Sequence, residues 1–275
     1  MNHDLGMVLL GGLAFAVPHV ALGFPPLRPW LVGRLGAQGF QALFVGFTIL
    51  GLGLFGAMLA IHGGGGGPGP GAGLGLAARM ACIGVAAGGL LLALAALQAY
   101  PRNPAALGRV VPGEPRGVEK ITRHGFFVGF GTFCLAHGLL AASGAQAAAF
   151  ALLAAVSMVG ASFQDRKLRD RYGAAWQDYQ RRTAIVPFLA VLQGRTQLGP
   201  GDRLAAAFAR AMIGVLAVAA LHPLWTRWHG AAFVGVLAAG GALLSAQRVV
   251  ASVKARRRAA APPAPSAPAG DPPGP

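Results

Sequence analysis

Several residues that can bind a soft or intermediate metal ion lie inside apolar segments of this 275-residue chain. Cys134 and His137 have the spacing that places a thiol and an imidazole on the same face of a helix, within one turn. Such ligands suit haem iron, zinc or copper, whereas magnesium and calcium prefer oxygen ligands. Ionisable groups at membrane depth are costly and tend to mark function, so His19, His124 and His137 are the leading candidates.

Helix geometry restricts which of these histidines can share one metal ion. His124 and His137 lie on one predicted helix, about 20 Å apart at a rise of 1.5 Å per residue, so they cannot both ligate one iron. His19 is the better axial partner for His137, and Pro18 is placed to kink its helix and turn the ring inward. Straight helices would put His19 and His137 at different depths, so tilt is required, and a pairing of His19 with His124 stays open.

A second kind of chemistry is expected where Arg123 precedes His124 at the entrance to a predicted helix. Exposed amides at a helix N-terminus attract anions, and a cationic side chain there can hold a lipid headgroup or a cofactor propionate. The simpler interpretation of Arg123 is that its long side chain extends to the membrane interface.

The elements that must position these residues are transmembrane helices. Of all residues 55% are apolar and 11% are charged, and the mean hydropathy is +0.56. A helix needs about 20 mainly apolar residues to cross a bilayer, and every backbone amide in lipid must be satisfied internally. The sequence therefore predicts an all-α, polytopic helical bundle. Its seven predicted spans lie near residues 5–24, 38–62, 76–100, 126–142, 145–163, 208–225 and 231–246, the fourth and fifth joined by a tight hairpin at Ser143 and Gly144.

Basic residues give the expected orientation. The net charge is +15, and nearly all of the 23 Lys and Arg residues fall in connections that would share one side of the membrane, with Arg79 and Arg227 as the exceptions. Under the positive-inside rule the N-terminus is outside and the C-terminus is cytoplasmic. The positive charge is then a topology signal, and the chain has no recognisable nucleic-acid-binding module. Membrane lipid is the expected partner.

The connections differ in composition. Residues 63–73 are almost all Gly and Pro and predict a flexible external loop, while residues 251–275 form a basic, Pro-rich tail that is expected to be disordered. Between residues 164 and 203, the spacing of Trp176 and Tyr179 indicates an interfacial helix whose aromatic rings rest at the lipid headgroups. The remaining histidines, at positions 3, 62, 222 and 229, fall in loops or near the outer interface, although His222 is retained as a site candidate.

These motifs together resemble the NnrU family of membrane proteins, and within it the zeta-carotene isomerase branch. The resemblance spans residues 1–250 except for the Gly-rich loop, and its main motifs are Pro18-His19, Ile121-Thr122-Arg123-His124, Cys134-Leu135-Ala136-His137, Asp165-Arg166-Lys167-Leu168, Arg171-Tyr172-Gly173 and His222-Pro223. One departure is Gly125, where the family motif usually continues with Pro.

The resemblance implies haem b, with His19 and His137 as axial ligands and Cys134 as a ligand that depends on the redox state of the iron. These three residues would also be the catalytic set of a redox-dependent cis–trans isomerase of an apolar polyene such as a carotenoid, and Arg123 and His124 would contact the cofactor. The wider family is associated with bacterial nitrogen-oxide metabolism, so the expected location is a bacterial inner membrane.

Two other functions remain open. A membrane methyltransferase of the isoprenylcysteine or phospholipid type is similar in its Arg-His motif, with Asp165, Tyr179 and Pro187 at the relevant positions. The third is a non-catalytic haem-binding subunit or sensor.

Overall fold

The computed structural model describes residues 2–98, 112–229, 231–232 and 234–240. Long helices dominate these residues, with short helices and turns between them. The helices are α1 (His3–Gly23), α2 (Leu27–His62), α3 (Leu76–Gln98), α4 (Val118–Ile121), α5 (Gly125–Leu140), α6 (Gly144–Tyr172), α7 (Ala174–Arg182), α8 (Leu189–Leu192) and α9 (Leu204–Thr226).

The prediction of a helical membrane bundle is confirmed. Five helices, α1, α2, α3, α6 and α9, are long and apolar enough to cross a bilayer, and α5 is apolar but has only 16 residues. Large apolar side chains such as Leu50, Leu76 and Ile213 are mostly exposed on these helices, at 72%, 77% and 69%. An apolar surface of this kind would be unfavourable in water and fits contact with lipid chains.

The helix boundaries agree with the predicted spans except in two places. α2 begins at Leu27, earlier than predicted, and its two parts meet at Gly36, where a φ of 67° interrupts the helical geometry. α6 continues past the predicted end of its span to Tyr172. Of the seventh predicted span, residues 231–232 and 234–240 are helical and the rest lies outside the described residues, as does the tail 251–275. The number of spans and their orientation therefore stay predictions.

The hairpin between α5 and α6 forms as predicted, and it also organises the Gly-rich connection. The Ser143 hydroxyl accepts a hydrogen bond from the Gln146 amide, which caps α6, and donates one to the Gly63 carbonyl. Gly69 and Gly71 donate backbone hydrogen bonds to Ala142 and Ala141. The prediction of a flexible loop is therefore wrong, because these glycines let the loop backbone lie directly against the hairpin. We call this side of the bundle the glycine-loop end, and the opposite side, which carries Arg123 and Asp165, the basic end.

The prediction that Trp176 and Tyr179 rest at the lipid headgroups is also wrong. Their side chains are 0% and 1% exposed, and they stack with ring centroids 5.1 Å apart against buried Leu168. Phe188 is half-exposed and the short α8 follows it. The segment after α6 thus folds back as a small second core that covers the basic end.

Glycines bring α3 and α5 into backbone contact. A Cβ atom added at Gly89 would lie 2.7 Å from the Gly129 carbonyl oxygen and 2.7 Å from the Phe133 amide nitrogen. One added at Gly129 would lie 2.5 Å from the Ala93 nitrogen. Small residues at such crossings allow helices in lipid to gain van der Waals contact at short axis separation. This contact fixes the position of α5, which carries Cys134 and His137.

We expect Gly89→Ala to destabilise the bundle by about 1–3 kcal/mol, because the added methyl group collides with backbone atoms that cannot move independently. Gly88→Ala is the matched control, since a Cβ at this neighbouring exposed glycine meets nothing within 4 Å. It should leave stability unchanged or raise it by up to about 1 kcal/mol through helix propensity. Thermal unfolding of both variants in one detergent measures the difference, and equal unfolding temperatures would contradict the close-packing argument.

Candidate functional site

The basic end contains a compact group of charged side chains around one carboxylate. Asp165 accepts hydrogen bonds from Arg123 Nη2 at 2.6 Å and Nε at 3.0 Å, and from His124 Nε2 at 2.6 Å. The His124 side chain is fully buried, and the side chains of Arg123 and Asp165 are only 12% and 11% exposed. The structure therefore brings the predicted Arg-His pair together with the acidic residue about 40 positions further along the chain.

Hydrogen bonds between two backbone segments hold this group in place. The Arg123 amide donates to the Ala184 carbonyl at 2.9 Å, the Phe188 amide donates to Ile121 at 2.8 Å, and the Thr122 hydroxyl donates to Ile185 at 2.7 Å. These bonds connect the segment before α5 to the segment after α7. Gly125 follows as the first residue of α5, and a Cβ atom there would lie 2.8 Å from the Ala96 side chain. The departure from the family motif at this position thus permits close packing on α3.

Several buried polar atoms near this group have no partner among the described residues. They are His124 Nδ1, Trp176 Nε1 and Tyr172 Oη. The His124 and Trp176 rings are 6.5 Å apart. Beside them an open cleft of about 510 Å³ is lined by Ser162, Asp165, Arg166, Arg169, Asp170 and Ile185. Buried donors and acceptors usually have partners, so this end of the bundle has spare capacity for hydrogen bonds.

Glu119, on α4, is a buried carboxyl group that sequence reasoning missed. Burial raises the pKa of Glu119 to about 7, and a hydrogen bond from the Arg116 amide, an interaction with the Tyr179 hydroxyl and the Arg116 charge offset part of that rise. Burial and the Glu119 charge raise the pKa of the Tyr179 hydroxyl. In the sequence Glu119 belongs to the segment Val118-Glu119-Lys120-Ile121, just before Arg123. Nothing in that segment indicates that Tyr179 packs against the Glu119 carboxyl group.

Inside the bundle, His137 is oriented by its own helix. Its Nδ1 donates to the Phe133 carbonyl at 3.0 Å, which leaves the Nε2 lone pair available. The ring lies among those of Phe133, Phe150 and His222, with centroids 4.1, 5.2 and 6.4 Å away. Cys134 is fully buried one turn earlier and forms no disulfide. A second imidazole, His222 on α9, thus lies nearer to His137 than sequence reasoning gave reason to expect.

His19 has the same tautomer for a different reason. The Thr48 hydroxyl donates its only proton to the Phe44 carbonyl at 2.7 Å, so the 3.0 Å contact between Thr48 Oγ1 and His19 Nδ1 requires Nδ1 to be the donor. Its Nε2 then carries a lone pair, and no described residue hydrogen-bonds to it. The ring is flanked by Phe15 and Phe44 at 5.1 and 4.8 Å. Metal-ligating histidines commonly have Nδ1 held in this way.

The helix register shows that His19 and His137 are not brought together. α1 runs parallel to α6, with Gly12 against Leu152 and Gly23 against Phe163. α5 runs antiparallel to α6, with Gly131 against Met158 and Gly138 against Phe150. These contacts place His19 and His137 about eight residues apart along α6, or about 12 Å in depth. On the same scale His19 is nearer in depth to His124.

The long apolar helices define a helical membrane protein with several spans. The sequence model of one family, described as NnrU protein, matches residues 7–236. The chain therefore belongs to the NnrU family. No curated protein and no solved structure matches it.

We expect Asp165→Asn to destabilise the protein by about 3–5 kcal/mol, because it leaves the buried Arg123 and His124 side chains without their charged partner. Asp178→Asn is the matched control, since Asp178 pairs with Arg181 and Arg182 at a side chain that is 46% exposed. Its effect should stay below about 1 kcal/mol. Thermal unfolding compares the two variants, and losses of similar size would show that the Asp165 cluster is no more than a surface ion pair.

Glu119 predicts a pH dependence of stability. Because its pKa is about 7 in the folded protein and 4.5 is its ordinary value, the folded state holds a proton that the unfolded chain releases. The stabilisation is complete below about pH 4.5 and is lost as the pH rises to about 7. The neutral amide of Glu119→Gln lacks this pH dependence. The free energy of unfolding of the variant should therefore rise relative to that of the wild type, by up to about 3 kcal/mol, between about pH 5 and pH 8. If the free energies of unfolding of the wild type and of Glu119→Gln change with pH in parallel, the raised pKa of Glu119 is contradicted.

Proposed function

We propose that this NnrU-family protein binds haem b inside the membrane through His137 Nε2. The observation that carries the proposal is the hydrogen bond from His137 Nδ1 to the Phe133 carbonyl, which orients the ring and leaves Nε2 free. Haem iron accepts imidazole and thiolate ligands, and the fully buried Cys134 and the partly buried His137 supply both on one helical face. When bound, haem would supply an iron whose coordination can change with its redox state.

Two residues would compete to supply a second ligand to the haem. The resemblance implies His19, whose free Nε2 is supported by its contact with Thr48. The distance from His137 favours His222, because ring centroids 6.4 Å apart leave room for one metal ion between two imidazoles. The described packing would let His19 reach the same iron only after a change in depth of about 12 Å. Arg123 at the basic end would be a partner for a propionate only if the haem extends to that depth.

We propose more specifically that the haem-bound protein is a cis–trans isomerase of an apolar polyene. Large apolar side chains cover the lipid-facing surface of the bundle, so such a substrate would approach from the bilayer rather than from water. Phe133 and Phe150 give the His137 region an aromatic wall suited to a polyene chain. If the site binds haem but catalyses no reaction, the protein would be a haem-binding subunit or sensor.

The membrane-methyltransferase alternative is favoured by a different observation, the buried contact of Arg123 and His124 with Asp165 next to the open cleft. This function would use the basic end and would need neither His19 nor the Cys134/His137 pair. The orientation proposed for both functions has the basic end in the cytoplasm of a bacterial cell, as the positive-inside rule requires.

Absorption spectra of the purified protein, expressed with ample haem, test the proposal. We expect a Soret band that His137→Ala abolishes or greatly weakens. Of His19→Ala and His222→Ala, the variant that lacks the second haem ligand should shift the band. Cys134→Ser should change the spectrum of one redox state, because thiolate ligation depends on the charge of the iron. His229→Ala, at the glycine-loop end, and Cys82→Ser are the matched controls and should leave the spectra unchanged.

A protein without a Soret band, or one that His137→Ala does not affect, contradicts the haem proposal. Binding of S-adenosylmethionine to haem-free protein would then support the methyltransferase. If haem is present, a cis polyene supplied under reducing conditions should yield the trans isomer. Haem without this product, or without its loss in His137→Ala, would favour a subunit or sensor.

A further inference from the structure

Three metal-ligand side chains that are not part of the site proposed for haem meet at the glycine-loop end. They are His3 and Asp4 in the first turn of α1 and His62 in the last turn of α2, and their ligand atoms all lie within 4.8 Å of one another. In the part of the chain that the structure describes, no other three histidine, cysteine or acidic side chains are grouped so closely. We propose that these residues form a binding site for a divalent transition metal ion of the zinc class.

The geometry of the three side chains is close to that of a coordination site. Asp4 Oδ1 lies 2.8 Å from His62 Nδ1 and 3.7 Å from His3 Nδ1. A metal ion about 2.0–2.1 Å from each ligand atom holds neighbouring ligand atoms about 3.4 Å apart in a tetrahedral arrangement. The observed separations therefore bracket the required one, and small side-chain rotations would complete the site.

The backbone around the site is built to keep it together. Asn2 caps α1 by accepting a hydrogen bond from the Asp4 amide at 3.1 Å, which fixes the first helical turn. Gly11 and Gly51 let α1 and α2 pack closely, with added Cβ atoms at 2.8 Å from Met58 and 2.7 Å from Phe15. A Cβ atom at Gly65 would lie 2.2 Å from Asp4 Oδ2, so any larger residue at this position would collide with the carboxylate.

The ligand types determine which metal ion would bind. Two imidazole nitrogens and one carboxylate oxygen suit zinc, copper or nickel, whereas magnesium and calcium prefer sets of oxygen atoms. Three protein ligands leave a fourth position for water, the arrangement of open zinc sites. Imidazole and carboxylate groups bind metal ions in their deprotonated forms, so affinity should fall as the pH is lowered.

An ion pair between Asp4 and His62 would by itself join the two helices, and it requires no third group. His3 is what points to a metal ion. Its side chain is 77% exposed, yet its ring lies edge-on to that of His62 with centroids 5.4 Å apart and its Nδ1 faces the shared carboxylate oxygen. The ligands come from the first turn of α1 and the last turn of α2, which lie at the same end of the antiparallel pair, so a bound ion would join the two helices there.

Zinc titration of the chelator-treated, full-length protein in detergent tests the site. Calorimetry should detect one equivalent of Zn²⁺ per chain, and Asp4→Asn, His3→Ala and His62→Ala should each weaken binding at least about tenfold. The matched control is His229→Ala, since His229 lies beside Gly64 in the same region but outside the group. It should bind zinc as tightly as the wild type, and millimolar Mg²⁺ should not compete.

Thermal unfolding gives a second readout that does not depend on activity or on haem. Zn²⁺ should raise the unfolding temperature of the wild type and of His229→Ala, because a ligand that binds only the folded state stabilises it. Asp4→Asn should show no such rise. If His62→Ala does not fold, Asp4→Asn and His3→Ala decide the question. Absence of stoichiometric binding by the wild type, or wild-type affinity in both variants, would overturn the proposal and leave adventitious zinc only.

Discussion

The Asp165 carboxylate holds the basic end of the bundle together. It neutralises Arg123 and accepts a hydrogen bond from Nε2 of buried His124, and so connects the start of α5 to the C-terminal part of α6. A buried arginine without a partner would be strongly destabilising, so the segment before α5 can adopt its position only when α6 supplies this acid. The second core around Trp176 and Tyr179 then closes over a site whose charges are already paired.

The interior of the bundle has few polar side chains, so close contacts at small residues position its helices. α5 is fixed by backbone contact with α3 through Gly89 and Gly129, and its depth against α6 is fixed by Gly131 and Gly138. These contacts set where His137 lies. His137 is oriented by a carbonyl of its own helix and His19 by Thr48 of α2, so the orientation of each ring is set locally. The separation of the two rings is set by the register of α1, α5 and α6.

Much of the fold could be predicted from the sequence because the bilayer imposes length and polarity on each span. Ser143 and Gly144 predicted the α5–α6 hairpin correctly, since two spans needed a turn there and serine is a good helix cap. Trp176 and Tyr179 were misplaced because the same helical spacing describes a buried face and an interfacial one. The Gly-rich loop was misjudged because composition reports backbone freedom, whereas closely packed loops need glycine as well. His3 and His62 were set aside as loop or interface residues because only the antiparallel packing of α1 and α2 brings them together.

The contact between Ser143 and Gly63 has a consequence for how the chain is made. Its partners are 80 residues apart, so a newly synthesised chain exposes the glycine loop long before the hairpin that pairs with it exists. Contacts this distant in sequence must wait for the intervening chain and close late. The loop therefore becomes ordered only on completed assembly, because until α5 and α6 are inserted the hairpin against which it packs does not exist.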